Sequence, residues 1–105
     1  SSYRLLGWLI DMQSGGALAP HMHEHSWISG SVYINVPPKS ETNSGNLVLC
    51  AGDQESDFTA RNPDERVVDV KTGSLCFFPS SLHHYTVPFT SSESRVVLAF
   101  DVIPA

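Results

Sequence analysis

The chain has 105 residues, enough for one domain with a modest hydrophobic core. Its formal net charge is −5 and its six Lys and Arg residues are scattered, which excludes nucleic acid and an anionic membrane surface as expected partners. Neither a charged-then-apolar leader nor a long apolar segment is visible, so we expect a soluble, cytoplasmic protein. Residues 1–105 are expected to form a single domain, and the absence of an initiator methionine is compatible with a fragment of a longer chain.

The apolar residues follow no helical periodicity and form short runs rich in β-branched and aromatic side chains, separated by turn residues. The expected strands, in chain order, are "RLLGWLIDM", "HMHEHSWISGSVYINV", "NLVLCAG", "RVVDV", "SLCFF", "LHHYTV" and "RVVLAFDVI". Seven or eight strands at this spacing predict an all-β antiparallel sandwich or jelly roll. The polar stretch at 53–65 has no strand pattern and is expected to form either an excursion over the mouth of the barrel or a mobile loop.

The histidines occupy two clusters, one at the start of the second expected strand and one in the sixth. Alternate side chains of an extended strand share a face, so His21, His23 and His25 would face one side. Two imidazoles at i and i+2 can bind one metal ion from a single strand, and a third ligand must come from elsewhere. His83 and His84 offer that ligand, although only one of two neighbours can face the same pocket. Neutral imidazole suits iron, zinc, copper and nickel. The alternative is that these histidines are ordinary surface residues.

The last expected strand has two different faces. One face is an apolar stripe of Val96, Leu98, Phe100 and Val102. This stripe should pack into a core or against a partner, and because no helix is expected to cover it, we expect a homodimer. The other face carries Arg95 followed by the small side chains of Val97 and Ala99, which is typical of a pocket for an anion. The alternative is that Arg95 reaches solvent or pairs with Glu93.

The two cysteines, Cys50 and Cys76, each lie inside an apolar run and not in a short CxxC spacing. We interpret them as small buried hydrophobic side chains rather than as a disulfide or a zinc pair. The candidate metal ligands are therefore the histidines.

Several short motifs, in this order, resemble one known family. They are "HMHEHSWISGSVYINVP", "GNLVL", "TGSLCFFPSSLHHYTVPF" and "SESRVVLAFDV", which together span about residues 6–102. The chain resembles the 2-oxoglutarate and iron(II) dependent oxygenase domain, a double-stranded β-helix with a cupin-like jelly-roll fold. The resemblance implies a hydroxylase-type dioxygenase that binds Fe(II) and 2-oxoglutarate and acts on a small-molecule or side-chain substrate.

Carried over motif by motif, the resemblance implies His21 and His23 as the first two metal ligands and His84 as the third. Arg95 takes the place of the basic residue that binds the distal carboxylate of 2-oxoglutarate. Tyr33 is a second residue expected to bind this cosubstrate, through its hydroxyl. No catalytic residue beyond the metal ligands is implied.

Two departures from the wider oxygenase pattern concern the site. Most such enzymes use two histidines and one carboxylate, whereas the HxH of this chain leaves the ion about one charge unit more positive. Glu24 would face the other side of the strand unless a bulge intervenes. Many relatives also place a serine two residues after the arginine, where this chain has Val97. His25 and His83 are candidates only for positions near the ligands or the substrate.

Two other functions fit the same pattern. A cupin-type three-histidine metalloprotein, such as a dioxygenase, isomerase or lyase, would use the metal without 2-oxoglutarate. A non-enzymatic jelly roll would bind a small ligand or a sugar. An arginine at position 95 that faces the metal favours the oxygenase over the cupin enzyme. The aromatic candidates for the pocket wall are Trp27, Tyr33, Phe78 and Tyr85.

Overall fold

A computed structural model of the chain describes residues 2–16, 25–50 and 65–105. These residues form seven β-strands and no helix, so the predicted all-β fold class is confirmed. The strands are β1 (Tyr3–Met12), β2 (Ile28–Asn35), β3 (Leu47–Cys50), β4 (Glu65–Val68), β5 (Leu75–Pro79), β6 (His83–Thr86) and β7 (Arg95–Pro104). No helix able to cross a bilayer is found in these three ranges. The loop predicted at 53–65 lies almost entirely outside the described residues.

The strands form a four-stranded sheet in the order β1-β7-β2-β5 and a three-stranded sheet in the order β4-β3-β6. All five pairings are antiparallel. β7 lies between β1 and β2, so strands that are far apart in sequence become neighbours, as in a jelly roll. The buried core between the sheets consists of Tyr33, Leu47, Val70, Phe78 and Val97. Cys50 is buried and Cys76 half-buried, and neither forms a disulfide.

β2 begins later than the sequence pattern suggests. Its first residue, Ile28, pairs with Pro79, the last residue of β5. Backbone hydrogen bonds continue one residue further, since Trp27 donates to the carbonyl of Val102 and accepts from the N–H of Ser80. His25 lies in an exposed turn before β2, so the expectation that the strand extends back through His25 is wrong. His21 and His23 themselves lie outside the described residues.

The outer face of the four-stranded sheet is apolar. Strand register places ten apolar side chains on this face: Leu5, Leu9, Ile28, Val32, Leu75, Phe77, Val96, Leu98, Phe100 and Val102. We call these residues the outer apolar face. Phe77 is 65% exposed, and Leu5, Leu9 and Leu75 are each at least 60% exposed. The apolar stripe predicted on the last strand therefore lies on this surface and not in the core between the sheets.

A glycine is required where this face is most crowded. The phenyl ring of Phe100 lies directly over Gly30, and a Cβ atom added at Gly30 would overlap the ring. Packing therefore requires glycine at position 30 in β2, because any larger residue would displace the ring of Phe100.

Candidate functional site

A cavity with about 560 Å³ of empty space, including the part open to solvent, lies between the two sheets. Its polar lining residues, among those described, are Ser29, Ser31, Tyr33, His84, Thr86, Arg95 and Asp101. Its apolar walls include Trp8, Ile10, Leu47, Phe78 and Val97. The cavity therefore brings together three residues that the sequence singled out on three different strands, namely Tyr33, His84 and Arg95.

Arg95 is a buried cation on the cavity wall. Its side chain is only 2% exposed, and its Nε donates a hydrogen bond of 3.1 Å to the carbonyl oxygen of Gly45. The left-handed backbone of Gly45, with φ of 73°, presents that carbonyl. Burial lowers the pKa of Arg95 from its ordinary value, but an arginine remains charged at neutral pH. The alternative in which Arg95 reaches solvent or pairs with Glu93 is therefore wrong.

No carboxylate forms an ion pair with Arg95 within residues 2–16, 25–50 and 65–105. A buried charge without a counter-ion is costly, because burial removes the water that stabilises it. The guanidinium carbon lies 5.4 Å from the centroid of the Tyr33 ring, which offsets part of that cost by a cation–π interaction.

Tyr33 is the most buried aromatic residue of the cavity wall. Burial raises the pKa of its phenol, and the nearby charge of Arg95 opposes this only in part. The hydroxyl therefore remains protonated at neutral pH and retains a proton to donate to an anion. Its role in binding the cosubstrate stays a prediction.

His84 is buried and lies on the other wall of the cavity, on β6. Its Nδ1 is 3.1 Å from the carbonyl oxygen of Leu82, and because a carbonyl can only accept, Nδ1 carries the hydrogen. Its ring packs edge-on against Phe78, with the ring centroids 4.8 Å apart. In the neutral ring this places the lone pair on Nε2, the arrangement typical of metal-binding histidines. The neighbouring His83 points to the opposite face, where it pairs with Cys50.

The metal site can be tested only in part. Among the described residues, no group of three His, Cys, Asp or Glu side chains is arranged to hold a metal ion. Of the three predicted ligands the structure describes His84 alone, since His21 and His23 fall outside those residues. The fixed tautomer and burial of His84 fit a neutral imidazole ligand, and the full set stays a prediction.

A hydrogen-bonded group at the other end of β7 was not singled out by the sequence analysis. The hydroxyl of Ser29 donates to Oδ1 of Asp101 at 2.7 Å and lies 2.8 Å from the hydroxyl of Ser80. Since Ser29 has only one hydroxyl hydrogen, Ser80 must donate to Ser29. All three residues are buried. Asp101 has the same parity on β7 as Arg95, so strand periodicity alone was a signal for its place on the cavity wall.

Replacing Ser29 with alanine is expected to lower the free energy of unfolding by about 1 to 3 kcal/mol, because it removes a donor from a buried carboxylate. Denaturant unfolding of the metal-free protein would measure this loss. Ser81 is exposed and provides a control, for which an alanine variant should unfold at the parent's midpoint. Identical midpoints for the Ser29 and Ser81 variants would contradict the assigned network.

Of the four aromatic residues that were predicted to form the pocket wall, two do so. Tyr33 and Phe78 line the cavity. Trp27 is 50% exposed and is not part of the lining. Tyr85 lies on the outer face of the three-stranded sheet, where its hydroxyl donates to Oε2 of Glu65 at 2.9 Å. Its parity on β6 differs from that of His84, which excludes it from the cavity.

The comparisons with known proteins give a family and a fold. The family model described as "Putative 2OG-Fe(II) oxygenase" matches residues 7–101. A search of curated proteins found no match. Among solved structures, the chain is similar to HygX from Streptomyces hygroscopicus, solved with nickel and 2-oxoglutarate, with a TM-score of 0.76 at 15% identity over 98% of this chain and 58% of HygX.

Two further structures show the same fold. A prolyl-4-hydroxylase from Pseudomonas putida aligns with a TM-score of 0.68 at 17% identity, over 100% of this chain and 54% of the hydroxylase. An RmlC-like cupin from Desulfovibrio desulfuricans aligns with a TM-score of 0.53 at 14% identity, over 97% of this chain and 72% of the cupin. The chain thus spans little more than half the length of HygX and of the hydroxylase.

These structural likenesses confirm the predicted double-stranded β-helix. The family match extends over nearly the whole chain, from β1 to the Asp101 end of β7. The chain therefore belongs to the 2-oxoglutarate and Fe(II) dependent oxygenase family that its motifs indicated.

Proposed function

We propose that this domain couples the decarboxylation of 2-oxoglutarate to the oxidation of an organic substrate, with Fe(II) as its metal. The observation that carries the proposal is the buried Arg95, which opens onto the same cavity as His84 without a described carboxylate partner. HygX, which has the same fold, binds nickel and 2-oxoglutarate, and this supports the choice of ligands. A cupin-type enzyme that does not use 2-oxoglutarate would have no need for a buried cation here.

His84, Arg95 and Tyr33 would each have a defined role in this reaction. His84 would hold the metal through Nε2, together with His21 and His23. Arg95 binds and orients the distal carboxylate, since its planar fork can form two parallel hydrogen bonds to one carboxylate. Tyr33 remains protonated and supports the same anion. When bound, Fe(II) together with O2 supplies the oxidising chemistry.

The apolar walls of the cavity contribute by excluding water. Ile10, Leu47 and Val97 line the same cavity as Arg95 and His84. These apolar side chains would lower the local dielectric constant around a bound diacid. The substrate is a small molecule or a side chain that enters from the open side of the cavity. No feature of the described residues selects one substrate, so its identity is outside this proposal.

The test of the proposal is Fe(II)-dependent release of CO2 from 2-oxoglutarate labelled at carbon 1. We expect equal amounts of succinate and CO2, formed only when Fe(II) and O2 are both present. His84→Ala should reduce this release to the level without iron. Release at the parent rate by His84→Ala would contradict the proposal.

We also propose that the domain forms a homodimer through the outer apolar face. That face is largely exposed and contains side chains from all four strands of its sheet, and among its members Phe100 alone also belongs to the cavity lining. Exposed apolar surface of this kind usually marks an interface. A second copy would cover it without blocking the cavity.

The dimer is expected to dissociate when Phe77 is replaced by lysine, because the interface would then have to bury a charge. Sedimentation or light scattering at micromolar concentration measures the change. Val67 is a matched control, since it is 50% exposed but lies on the other sheet, and Val67→Lys should leave the dimer intact. A parent protein that is monomeric at that concentration would contradict the homodimer.

A cytoplasmic location remains a proposal. Both cysteines are free thiols in the structure. Free thiols persist in the reducing cytoplasm, whereas secreted domains of this size commonly form disulfides. Fractionation of the cells that express the chain would test this location.

A further inference from the structure

The short connection between β5 and β6 carries the chain from one sheet to the other. β5 belongs to the four-stranded sheet and β6 to the three-stranded sheet, and only residues 80–82 lie between them. Among the described strands, β6 pairs with β3 alone, so it is held on one side. His84 is the second residue of this four-residue strand. The position of its imidazole ring therefore depends on how the connection is held.

The connection is attached to the four-stranded sheet through Ser80, which is fully buried. The N–H of Ser80 donates to the carbonyl oxygen of Trp27 at 3.1 Å, and its hydroxyl donates to that of Ser29, 2.8 Å away. Ser29 in turn donates to Oδ1 of Asp101 at 2.7 Å. We call Ser80, Ser29 and Asp101 the serine–aspartate network. Because each hydroxyl has only one hydrogen and each hydrogen has a buried acceptor, the direction of every bond in the network is fixed.

The same connection presents the acceptor that orients His84. The N–H of Leu82 donates to the carbonyl oxygen of Pro79 at 3.1 Å, which closes the turn around Ser80. The carbonyl oxygen of Leu82 then accepts the hydrogen of Nδ1 of His84 at 3.1 Å. Metal-binding histidines commonly donate their other ring N–H in this way, and loss of the supporting group weakens metal binding. One series of contacts thus extends from Asp101 to the imidazole ring of His84.

We propose that Ser80, held by Ser29 and Asp101, is a positioning residue for the metal site. It fixes the carbonyl of Leu82 at the point where that carbonyl keeps the hydrogen of His84 on Nδ1 and leaves the lone pair on Nε2. This inference rests on the proposed function, in which His84 binds the metal. Without the hydroxyl of Ser80 the turn can shift, and a ring that carries its hydrogen on Nε2 has no lone pair there for a metal.

The first measurement is the tautomer of His84 in the metal-free protein, by nitrogen NMR of a sample labelled in its histidine rings. It is made roughly two pH units above the ordinary histidine pKa, where imidazole is neutral. A His84→Gln sample identifies the signals of His84. We expect the parent to carry the hydrogen on Nδ1 only. Ser80→Ala removes the hydroxyl but keeps the N–H that binds Trp27, and it should show a mixture of both tautomers.

The second measurement is the affinity of the metal-free protein for Ni(II), by calorimetric titration. Nickel is a suitable probe because HygX, which has the same fold, was solved with it. We expect Ser80→Ala to raise the Kd for Ni(II) about tenfold, the lower end of the range for groups that support a metal-binding histidine. Ser29→Ala breaks the same link from β2 and should give the same rise, so it decides the question if Ser80→Ala does not fold.

Two other serines show what a purely structural loss would do. Ser44 is 7% exposed and its hydroxyl accepts from the N–H of Glu41 at 3.2 Å, but it belongs to a different turn. Ser44→Ala should lower the unfolding midpoint, as Ser80→Ala does, and leave both the Kd for Ni(II) and the tautomer of His84 unchanged. Ser81 is the exposed neighbour of Ser80, and Ser81→Ala should change none of these three quantities.

A selective rise in the Kd of Ser80→Ala together with a mixed tautomer would support the inference. It would be overturned, with the proposed function intact, by an unchanged Kd in Ser80→Ala, by an equal rise in Ser44→Ala, or by a His84 that keeps its hydrogen on Nδ1 in Ser80→Ala. A parent protein that binds no Ni(II) would instead contradict the metal site of the proposed function, and this inference with it.

Discussion

Replacement of Arg95 by alanine is expected to weaken binding of 2-oxoglutarate to the Fe(II) protein by roughly 2 to 4 kcal/mol, the usual scale for removing one partner of a buried charge pair. Arg95 is 2% exposed and has no described carboxylate partner, so a bound carboxylate would be its counter-ion. Arg95→Lys should give an intermediate loss, because an ammonium keeps the charge but cannot form two parallel bonds. Anaerobic absorption titrations give the Kd of each variant.

The matched control for this variant is Arg4→Ala. Arg4 is exposed on β1, so its loss should leave the Kd for 2-oxoglutarate unchanged. Pyruvate provides an internal control, since it should bind the parent and Arg95→Ala equally. If Arg95→Ala bound 2-oxoglutarate as tightly as the parent does, the oxygenase proposal would lose its main support and the cupin-type enzyme would replace it.

The second large effect that we expect is the loss of bound Fe(II) when one metal ligand is removed. His23→Ala and His84→Ala are each expected to reduce bound Fe(II) from about one ion per chain to nearly none, because a site of three protein ligands does not retain the ion with two. Metal content after reconstitution and desalting measures this directly. The basis differs for the two residues, since the structure places His84 on the cavity wall, whereas His23 is assigned from the HxH spacing and the family resemblance.

Each ligand variant has a neighbouring histidine as its control. His83 points to the opposite face of β6, and His25 lies in an exposed turn before β2. His83→Ala and His25→Ala should therefore keep most of the iron. Equal losses from His23→Ala and His25→Ala would show that the ligands are assigned to the wrong histidines.

Alternation along a single strand was sufficient to predict which residues of β7 face the cavity. Arg95 and Val97 line it, as the pattern indicated, and the same parity extends to Asp101. The apolar residues that alternate with them on β7 were predicted to form one stripe. The sequence pattern did not show that this stripe belongs to a surface that spans four strands. That surface depends on pairing between strands distant in sequence, which no local pattern reveals.

The features that sequence reasoning missed depend on contacts between elements. The start of β2 at Ile28 lies opposite Pro79, the last residue of β5, which is about fifty residues later in the chain. Ser80 reaches Ser29 only because its turn follows β5, the sheet neighbour of β2, and its hydroxyl bonds to that of Ser29 there. The roles of His21 and His23 stay predictions.

The central claim is that one cavity holds a 2-oxo diacid between a metal at His84 and the guanidinium of Arg95. The most direct test is a calorimetric titration of 2-oxoglutarate, without O2, into the protein with and without Fe(II). The account predicts one molecule bound per chain, much more tightly with the metal than without it, and more tightly than pyruvate. Failure of the metal-loaded protein to bind 2-oxoglutarate, or equal binding with and without the metal, would contradict it.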